Sequence, residues 1–262
     1  MTMDNRYFID CYVVTNVGKI REKNEDNFYF FQNVLKNQNM SLEKQSVSTQ
    51  KPLLFGVFDG MGGLSYGEEA SFICADICCH YELHEQFLKD DMITICHIAN
   101  AQVNMKKREV KADMGSTASM LTFFKDEVFL CNIGDSPIFC MKDRHLLQIF
   151  QEHTEKELYE KLYGPNFQKK KYRLTQNIGI SDEEVLIQPY TNHMKLHDGD
   201  IYLICSDGLT DMVNENDIKK ELDRFDNQTI CRLLQLALDN GGKDNITIIL
   251  IKVNREDYDG RY

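Results

Sequence analysis

Four apolar runs in this chain of 262 residues end in, or begin from, an aspartate. Residues 53–58 run into Asp59-Gly60, and residues 128–133 reach Asp135 through Gly134. Residues 201–205 are followed by Ser206-Asp207-Gly208, and Asp244-Asn245 stands directly before the run 246–253. Runs this short and this continuously apolar read as strands buried on both faces. One Asp-Gly pair after a strand is ordinarily a turn. Four carboxylates at the ends of buried strands are different, because a buried carboxylate without a counter-charge is costly and a cluster of them calls for cations. Oxygen-only donors favour hard divalent ions, Mg²⁺ or Mn²⁺, over zinc. Spacing alone leaves open whether these strand ends meet.

The remaining pattern places those runs in an α+β chain. Strands are predicted at 8–15, 27–32 and 52–59, with the polar, Gln/Asn/Ser-rich segment 33–51 read as a surface loop. Ala70, Ile73, Cys74, Ile77, Cys78 and Tyr81 recur at helical spacing, as do Met92, Ile95, Cys96, Ala99 and Val103. From Ser116 onward, 116–124, 128–133, 137–141 and 145–150 read as an antiparallel meander. A helix over 152–163, strands at 185–190 and 200–205, helices at 217–224 and 226–239, and a closing strand at 246–253 complete the reading. No repeat or linker divides the chain, so one domain is expected.

The formal net charge of −11 excludes a broad nucleic-acid or anionic-membrane surface, each of which needs a basic stripe. One basic run, Lys169, Lys170, Lys171 and Arg173, is read as a solvated loop, the alternative being a contact for an acidic or phosphorylated partner. No stretch approaches the roughly 18 apolar residues of a membrane span. Met1 to Asn5 carry no signal-peptide core. Nine cysteines, most among apolar neighbours, fit reduced thiols, and the expected location is cytoplasmic. His80 and His84, four residues apart, read as a solvated helix end.

Seven short motifs, in order, resemble the metal-dependent phosphatases of the protein phosphatase 2C family. They are Gly18-Lys19-Ile20-Arg21-Glu22-Lys23-Asn24-Glu25-Asp26, Phe58-Asp59-Gly60-Met61-Gly62-Gly63, Gly115-Ser116-Thr117-Ala118, Asn132-Ile133-Gly134-Asp135-Ser136, Leu174-Thr175-Gln176-Asn177-Ile178-Gly179, Cys205-Ser206-Asp207-Gly208-Leu209 and Gly241-Gly242-Lys243-Asp244-Asn245-Ile246-Thr247. The resemblance spans about residues 8–253, and the pattern is that of the family's bacterial serine/threonine members.

The resemblance implies a four-layer αββα sandwich with the cleft at one end. It implies metal-dependent hydrolysis of phosphoserine and phosphothreonine in proteins by a hydroxide bridging two Mn²⁺ or Mg²⁺ ions, in one step and without a phosphoenzyme. Asp59 would bridge the ions, with the Gly60 carbonyl also ligating. Asp207 and Asp244 would complete one shell, Glu25 would serve the other ion, and Asp135 with Asp207 would suit a third, weaker ion. Asp26 would orient a metal-bound water without touching metal, and Arg21 would grip the phosphate with its planar, permanently charged fork. Phosphoprotein substrates, a cognate Ser/Thr kinase and a monomeric chain follow from the same resemblance.

The departures are specific. Met61 stands where animal members carry a histidine proposed as general acid, so protonation of the leaving group falls to metal-bound water. Gln176-Asn177 replaces the usual Arg-Ala pair, without a clear catalytic consequence. Residues 151–173 take the place of the family's flap and are expected to set substrate choice, the alternative being a plain connecting loop. A binding module without catalysis would have lost metal ligands; a phosphatase for small metabolites or nucleotides would use the same ones.

Overall fold

The computed structural model describes residues 6–256 apart from 37, 63–65, 166, 168, 170 and 182–184. Gly63 of the second motif and Lys170 of the basic run lie outside the described residues. In chain order the elements are β1 (Tyr7–Asn16), β2 (Asp26–Phe30), β3 (Met40–Ser48), β4 (Leu53–Met61), α1 (Gly67–His80), α2 (Leu88–Val110), β5 (Gly115–Ser116), β6 (Ala118–Phe124) and β7 (Glu127–Ile133). They continue with β8 (Ile138–Lys142), β9 (His145–Gln148), α3 (Lys156–Tyr163), β10 (Tyr190–Lys195), β11 (Ile201–Cys205), α4 (Asp207–Thr210), α5 (Glu215–Asp223), α6 (Thr229–Asp239) and β12 (Ile246–Arg255).

Two antiparallel sheets form, in the orders β3-β1-β12-β11-β8-β9 and β10-β7-β6-β4-β2, with β5 pairing β4. The continuous apolar runs are explained by β12, whose residues alternate between two cores. Ile249, Ile251 and Val253 enter the core between the sheets, with Ile9, Phe28, Phe55 and Leu121. Ile246, Ile248 and Leu250 face the opposite way, with Leu209, Ile218 and Leu233 of α4, α5 and α6. A third core packs the second sheet against α1 and α2 through Cys74, Met92, Ile95 and Met120. Three cores between successive layers make the αββα sandwich. Each fully buried aliphatic side chain contributes roughly 1.5–3 kcal/mol, so the central strands hold the two sheets firmly.

Three expectations change. Residues 33–51 are not simply a loop, because β3 pairs with β1 over Phe8↔Ser48 to Thr15↔Met40, with a register shift between Ile9 and Cys11. The strand expected at 185–190 begins only at Tyr190 and pairs with β7 through Tyr190↔Asn132 to Lys195↔Glu127. Both are edge strands, hydrogen-bonded on one side and largely exposed, so neither needs an apolar sequence. The meander is also split: β6 and β7 pair in one sheet and β8 and β9 in the other.

Antiparallel pairing brings the critical termini to one end. Asp26 at the start of β2 lies opposite Asp59 on β4. The ends of β1, β7 and β11 and the start of β12 lie at the same end, with Asn16 opposite Ile246. Among the described residues no helix is long and apolar enough to cross a membrane. All nine cysteines are free.

Candidate functional site

The last motif fastens the first in place. Asn245 Nδ2 donates to the carbonyls of Val17 and Lys23, and its Oδ1 accepts from the Glu25 N–H at 2.8 Å. The Lys19 N–H donates to the Gly242 carbonyl at 2.7 Å. The Glu25 carbonyl accepts from the Gly60 N–H and from Ser71 Oγ of α1. Gly60 is required by close approach: a Cβ there would lie 2.2 Å from the Gly67 carbonyl oxygen and 2.3 Å from that of Glu25. A Cβ on Gly208 would lie 1.9 Å from the Asn245 carbonyl oxygen, which explains the glycine after Asp207. Thr117 secures the end of β4, its Oγ1 accepting from the Asp59 N–H at 3.0 Å while its own N–H donates to the Asp59 carbonyl.

These bonds gather the predicted carboxylates. Asp59 retains some surface on the cleft, yet its pKa is pushed well above the ordinary aspartate range, by burial first and then by the charges of Asp207, Asp26, Asp135 and Asp244. Asp135 is pushed up to about 6 by burial and Asp207, with Lys171 pulling it down. The Glu25 pKa is raised by burial and by Glu68, against Arg21.

Asp26 is buried beneath the others. Its Oδ2 accepts from Ser206 Oγ and from Thr247 Oγ1, both at 2.7 Å. Because the Thr247 hydroxyl donates to Asp26, the Thr15 hydroxyl donates to Thr247 Oγ1, and Thr15 Oγ1 in turn accepts from Asn24 Nδ2. Burial pushes Asp26 up to about 7 even though both hydroxyl bonds lower it.

Two cations reach the rim. Arg21 Nη2 donates to Asp244 Oδ2 at 2.7 Å, and its Nη1 lies 3.9 Å from Glu25 Oε2. Lys171 Nζ donates to Asp207 Oδ2 at 3.1 Å. Sequence reasoning read the basic run as a solvated loop, but Lys171 joins the site. Only the position of the run near the flap pointed that way. His153 was also missed: its Nδ1 accepts from the Gly134 N–H at 3.1 Å, and its main-chain N–H donates to the Gly134 carbonyl, tying the flap to the loop that carries Asp135. Burial lowers the His153 pKa and favours the neutral ring that this acceptor role requires. A cavity of about 370 Å³ opens beside Asp135, Lys171 and Asp207, with Pro137, Phe139 and Val213 in its wall.

The donor chemistry fits divalent metal. Every converging donor is a hard oxygen, and burial together with like-charge repulsion leaves the cluster wanting positive charge beyond the two rim cations. Among the described residues no group of three acidic, histidine or cysteine side chains is already placed to hold a metal ion, and Asp244 and Asp207 pair with Arg21 and Lys171 instead. His80 and His84 play no part: His80 Nδ1 bonds the Asp76 carbonyl, and His84 bonds Asp91 at the start of α2.

Two antiparallel sheets flanked by helices, with a carboxylate cluster at one end, define the class as an αββα sandwich. The sequence profile of protein phosphatase 2C matches residues 41–232, and the chain belongs to that family. Arg21, Glu25, Asp26 and Asp244 lie outside the matched range. The serine/threonine protein phosphatase PstP of Mycobacterium tuberculosis is 27% identical over 213 residues, covering 78% of this chain and 41% of PstP. This chain thus spans about two-fifths of that relative. The protein phosphatase PhpP of Streptococcus pneumoniae is 28% identical over 219 residues, covering 76% of this chain and 85% of PhpP. The crystal structure of the PstP catalytic domain in complex with two manganese ions superposes with a TM-score of 0.75 at 24% identity, covering 94% of this chain and 99% of that one, a likeness of fold.

Proposed function

We propose that the chain is a metal-dependent protein-serine/threonine phosphatase, a catalytic domain that reverses the action of a Ser/Thr kinase. The observation that carries this reading is the convergence of Asp59, Asp26, Asp135 and Asp207 with Asp244 and Glu25 at one end of the sandwich, under the guanidinium of Arg21. Support comes from membership of the family and from the names of the relatives PstP and PhpP.

Asp59 and the Gly60 carbonyl are assigned to two divalent ions, Mn²⁺ or Mg²⁺, with Asp207 and Asp244 on one ion and Glu25 on the other. Asp135 with Asp207 is assigned to a third, weaker site. Divalent ions in such a site lower the pKa of bound water and neutralise phosphate oxygens.

The chain's own groups do the rest. Arg21 turns from Asp244 to a substrate phosphate and places two parallel donors on its oxygens. Asp26, fixed by two hydroxyl donors, presents an acceptor of defined direction beneath the ligands and orients water there. Met61 offers no proton, so the site supplies no side-chain acid at that position. His153 holds the Asp135 loop against the flap, and the cavity beside Asp207 gives room for the residue that carries the phosphate.

Rates on a phosphothreonine peptide, a phosphotyrosine peptide and a sugar phosphate, each with and without Mn²⁺, test the assignment. The expected order favours the phosphothreonine peptide and requires metal. Absence of metal-dependent turnover on all three would refute the enzyme reading. Undiminished activity of Asp207→Ala would refute the assigned site.

A further inference from the structure

Asp26 belongs to a closed ring of hydrogen bonds. Its N–H donates to Asn24 Oδ1 at 3.1 Å, and Asn24 Nδ2 donates to Thr15 Oγ1 at 2.8 Å. The Thr15 hydroxyl donates to Thr247 Oγ1 at 2.8 Å, and the Thr247 hydroxyl returns to Asp26 Oδ2 at 2.7 Å. Every bond runs in the same sense, so the ring ties the main chain of Asp26 to its own carboxylate. Asp26, Asn24, Thr15 and Thr247 are all buried. Ser206 Oγ adds a second donor to Oδ2, whereas Oδ1 has no protein donor among the described residues.

The threonines break an apolar pattern. Val13↔Ile249 and Thr15↔Thr247 are successive pairs on one face in the β1–β12 register. Val13, Ile249 and Phe28 all enter the core between the sheets. A strand returns to the same face at every second residue, so Thr15, Thr247 and Asp26 continue that apolar face to its end. A side chain with no role beyond packing would be valine there, which has the shape of threonine and no hydroxyl to satisfy. Two facing threonines instead carry an unbroken path from Asn24 to the carboxylate. Asn24 is itself fixed, its Nδ2 donating to the Gln38 carbonyl at 2.9 Å and its N–H to Gln38 Oε1 at 2.6 Å.

We propose that Thr15 and Asn24 are positioning residues for the hydrolysis. Through the ring they hold the Asp26 carboxylate in the orientation that commits Oδ2 to Thr247 and Ser206 and leaves Oδ1 to accept from a water at the metal site. Neither residue is assigned to substrate or metal. The inference rests on the proposed function in taking Asp26 as the group that orients water. A ring that only staples the strand ends together makes a different prediction, a loss of stability with no loss specific to turnover.

The test compares wild type, Thr15→Val, Thr15→Ser and Asn24→Ala in the full chain. Thr49→Val is the control, a buried threonine bonded to the Tyr7 and Lys125 carbonyls at the opposite end of β1. At saturating Mn²⁺, kcat for a phosphothreonine peptide is expected to fall about tenfold in Thr15→Val with KM unchanged, as when an outer partner of a metal-site group is lost. Thr15→Ser is expected to recover most of that fall, and Thr49→Val to keep the wild-type kcat. In chelator, hydrogen exchange at the Asp26 amide is expected to quicken severalfold in Thr15→Val while the amides of β4 keep their protection. Calorimetric titration of Mn²⁺ into Thr15→Val is expected to give the wild-type affinity. A wild-type kcat in Thr15→Val, a fall that Thr49→Val reproduces, or unchanged exchange at Asp26 overturns the inference and leaves the proposed function standing. So does weakened Mn²⁺ binding whose kcat recovers when more metal is added. A wild-type chain without metal-dependent turnover overturns both. Should Thr15→Val fail to fold, Asn24→Ala opens the ring from its other side and decides: the same fall in kcat supports the inference, and a wild-type kcat overturns it.

Discussion

The carboxylate cluster and the flap segment lie side by side but are built in opposite ways. Each cluster residue stands at or just beyond the end of a strand locked between cores, and main-chain bonds fix it from several directions. In the flap, α3 has no buried residue. Tyr159 stacks on Phe167 at 5.5 Å and Tyr163 on Phe167 at 4.9 Å, with Tyr172 tilted against Tyr159, an aromatic cluster outside the three main cores. At its base the Glu155 N–H donates to the Arg173 carbonyl and the Thr175 N–H to the His153 carbonyl. The difference teaches that the site is held by the sandwich, while the flap can vary in sequence at little cost to the fold.

The largest expected effect separates the two regions directly. Asp59→Asn should lower metal-dependent phosphatase activity on the order of a thousandfold, because it removes the charge assigned to both ions. The same change should raise the melting temperature measured in chelator, since a carboxylate repelled by Asp207, Asp26, Asp135 and Asp244 becomes neutral. Tyr159→Ala should leave the melting temperature of the sandwich nearly unchanged and alter turnover of phosphoproteins more than of a small aryl phosphate. If Tyr159→Ala unfolds the whole chain, the flap is not the separate unit its packing indicates.

The same contrast explains what the sequence made legible. The central strands were readable because β11 and β12 are buried on both faces, and their apolar runs leave no other assignment. The edge strands β3 and β10 were not, since a strand paired on one side tolerates Glu43, Lys44, Asn192 and His193. Asp59, Asp135, Asp207 and Asp244 were marked by their strand ends and Glu25-Asp26 by standing directly before a strand, whereas Arg21 was marked only by resemblance. The clamp made by Asn245 and the hydroxyl chain from Thr15 to Asp26 depend on which termini the antiparallel pairing brings together. Lys171 depends on the path of the flap, which no periodicity encodes.

A second effect, smaller than the first, follows from the raised carboxyls. The Asp26 pKa rises from 3.8 to about 7 and that of Asp135 to about 6. A group whose folded pKa exceeds its unfolded value binds more protons in the folded chain, so its stabilising contribution is full below the unfolded pKa and is lost as pH rises through the folded one. With metal chelated, denaturant melts should therefore show stability falling between the unfolded value of 3.8 and about 7. Each tenfold difference in proton affinity between the folded and unfolded chain contributes roughly 1.4 kcal/mol to that fall. Saturating Mn²⁺ should remove or reverse the slope, because metal binds the deprotonated ligands. A flat profile in chelator would mean that the cluster is relieved by another cation.

The smallest expected effect concerns Lys171, which carries the flap's charge into the cluster. Its ammonium pairs with Asp207 and lowers the pKa of Asp135, so Lys171→Met should move the Asp135 titration above its value of about 6, as followed by carboxyl-carbon NMR in chelator. With Asp207 engaged by an ion as proposed, Lys171, which lines the cavity beside it, would be released from that pairing. Lys171→Met should then raise KM for a phosphopeptide severalfold and change kcat less, the pattern of lost binding shared by ground state and transition state. A fall in kcat matching that of Asp59→Asn would place Lys171 within the cluster itself, and the division between a fixed site and a variable flap would have to be redrawn at that residue.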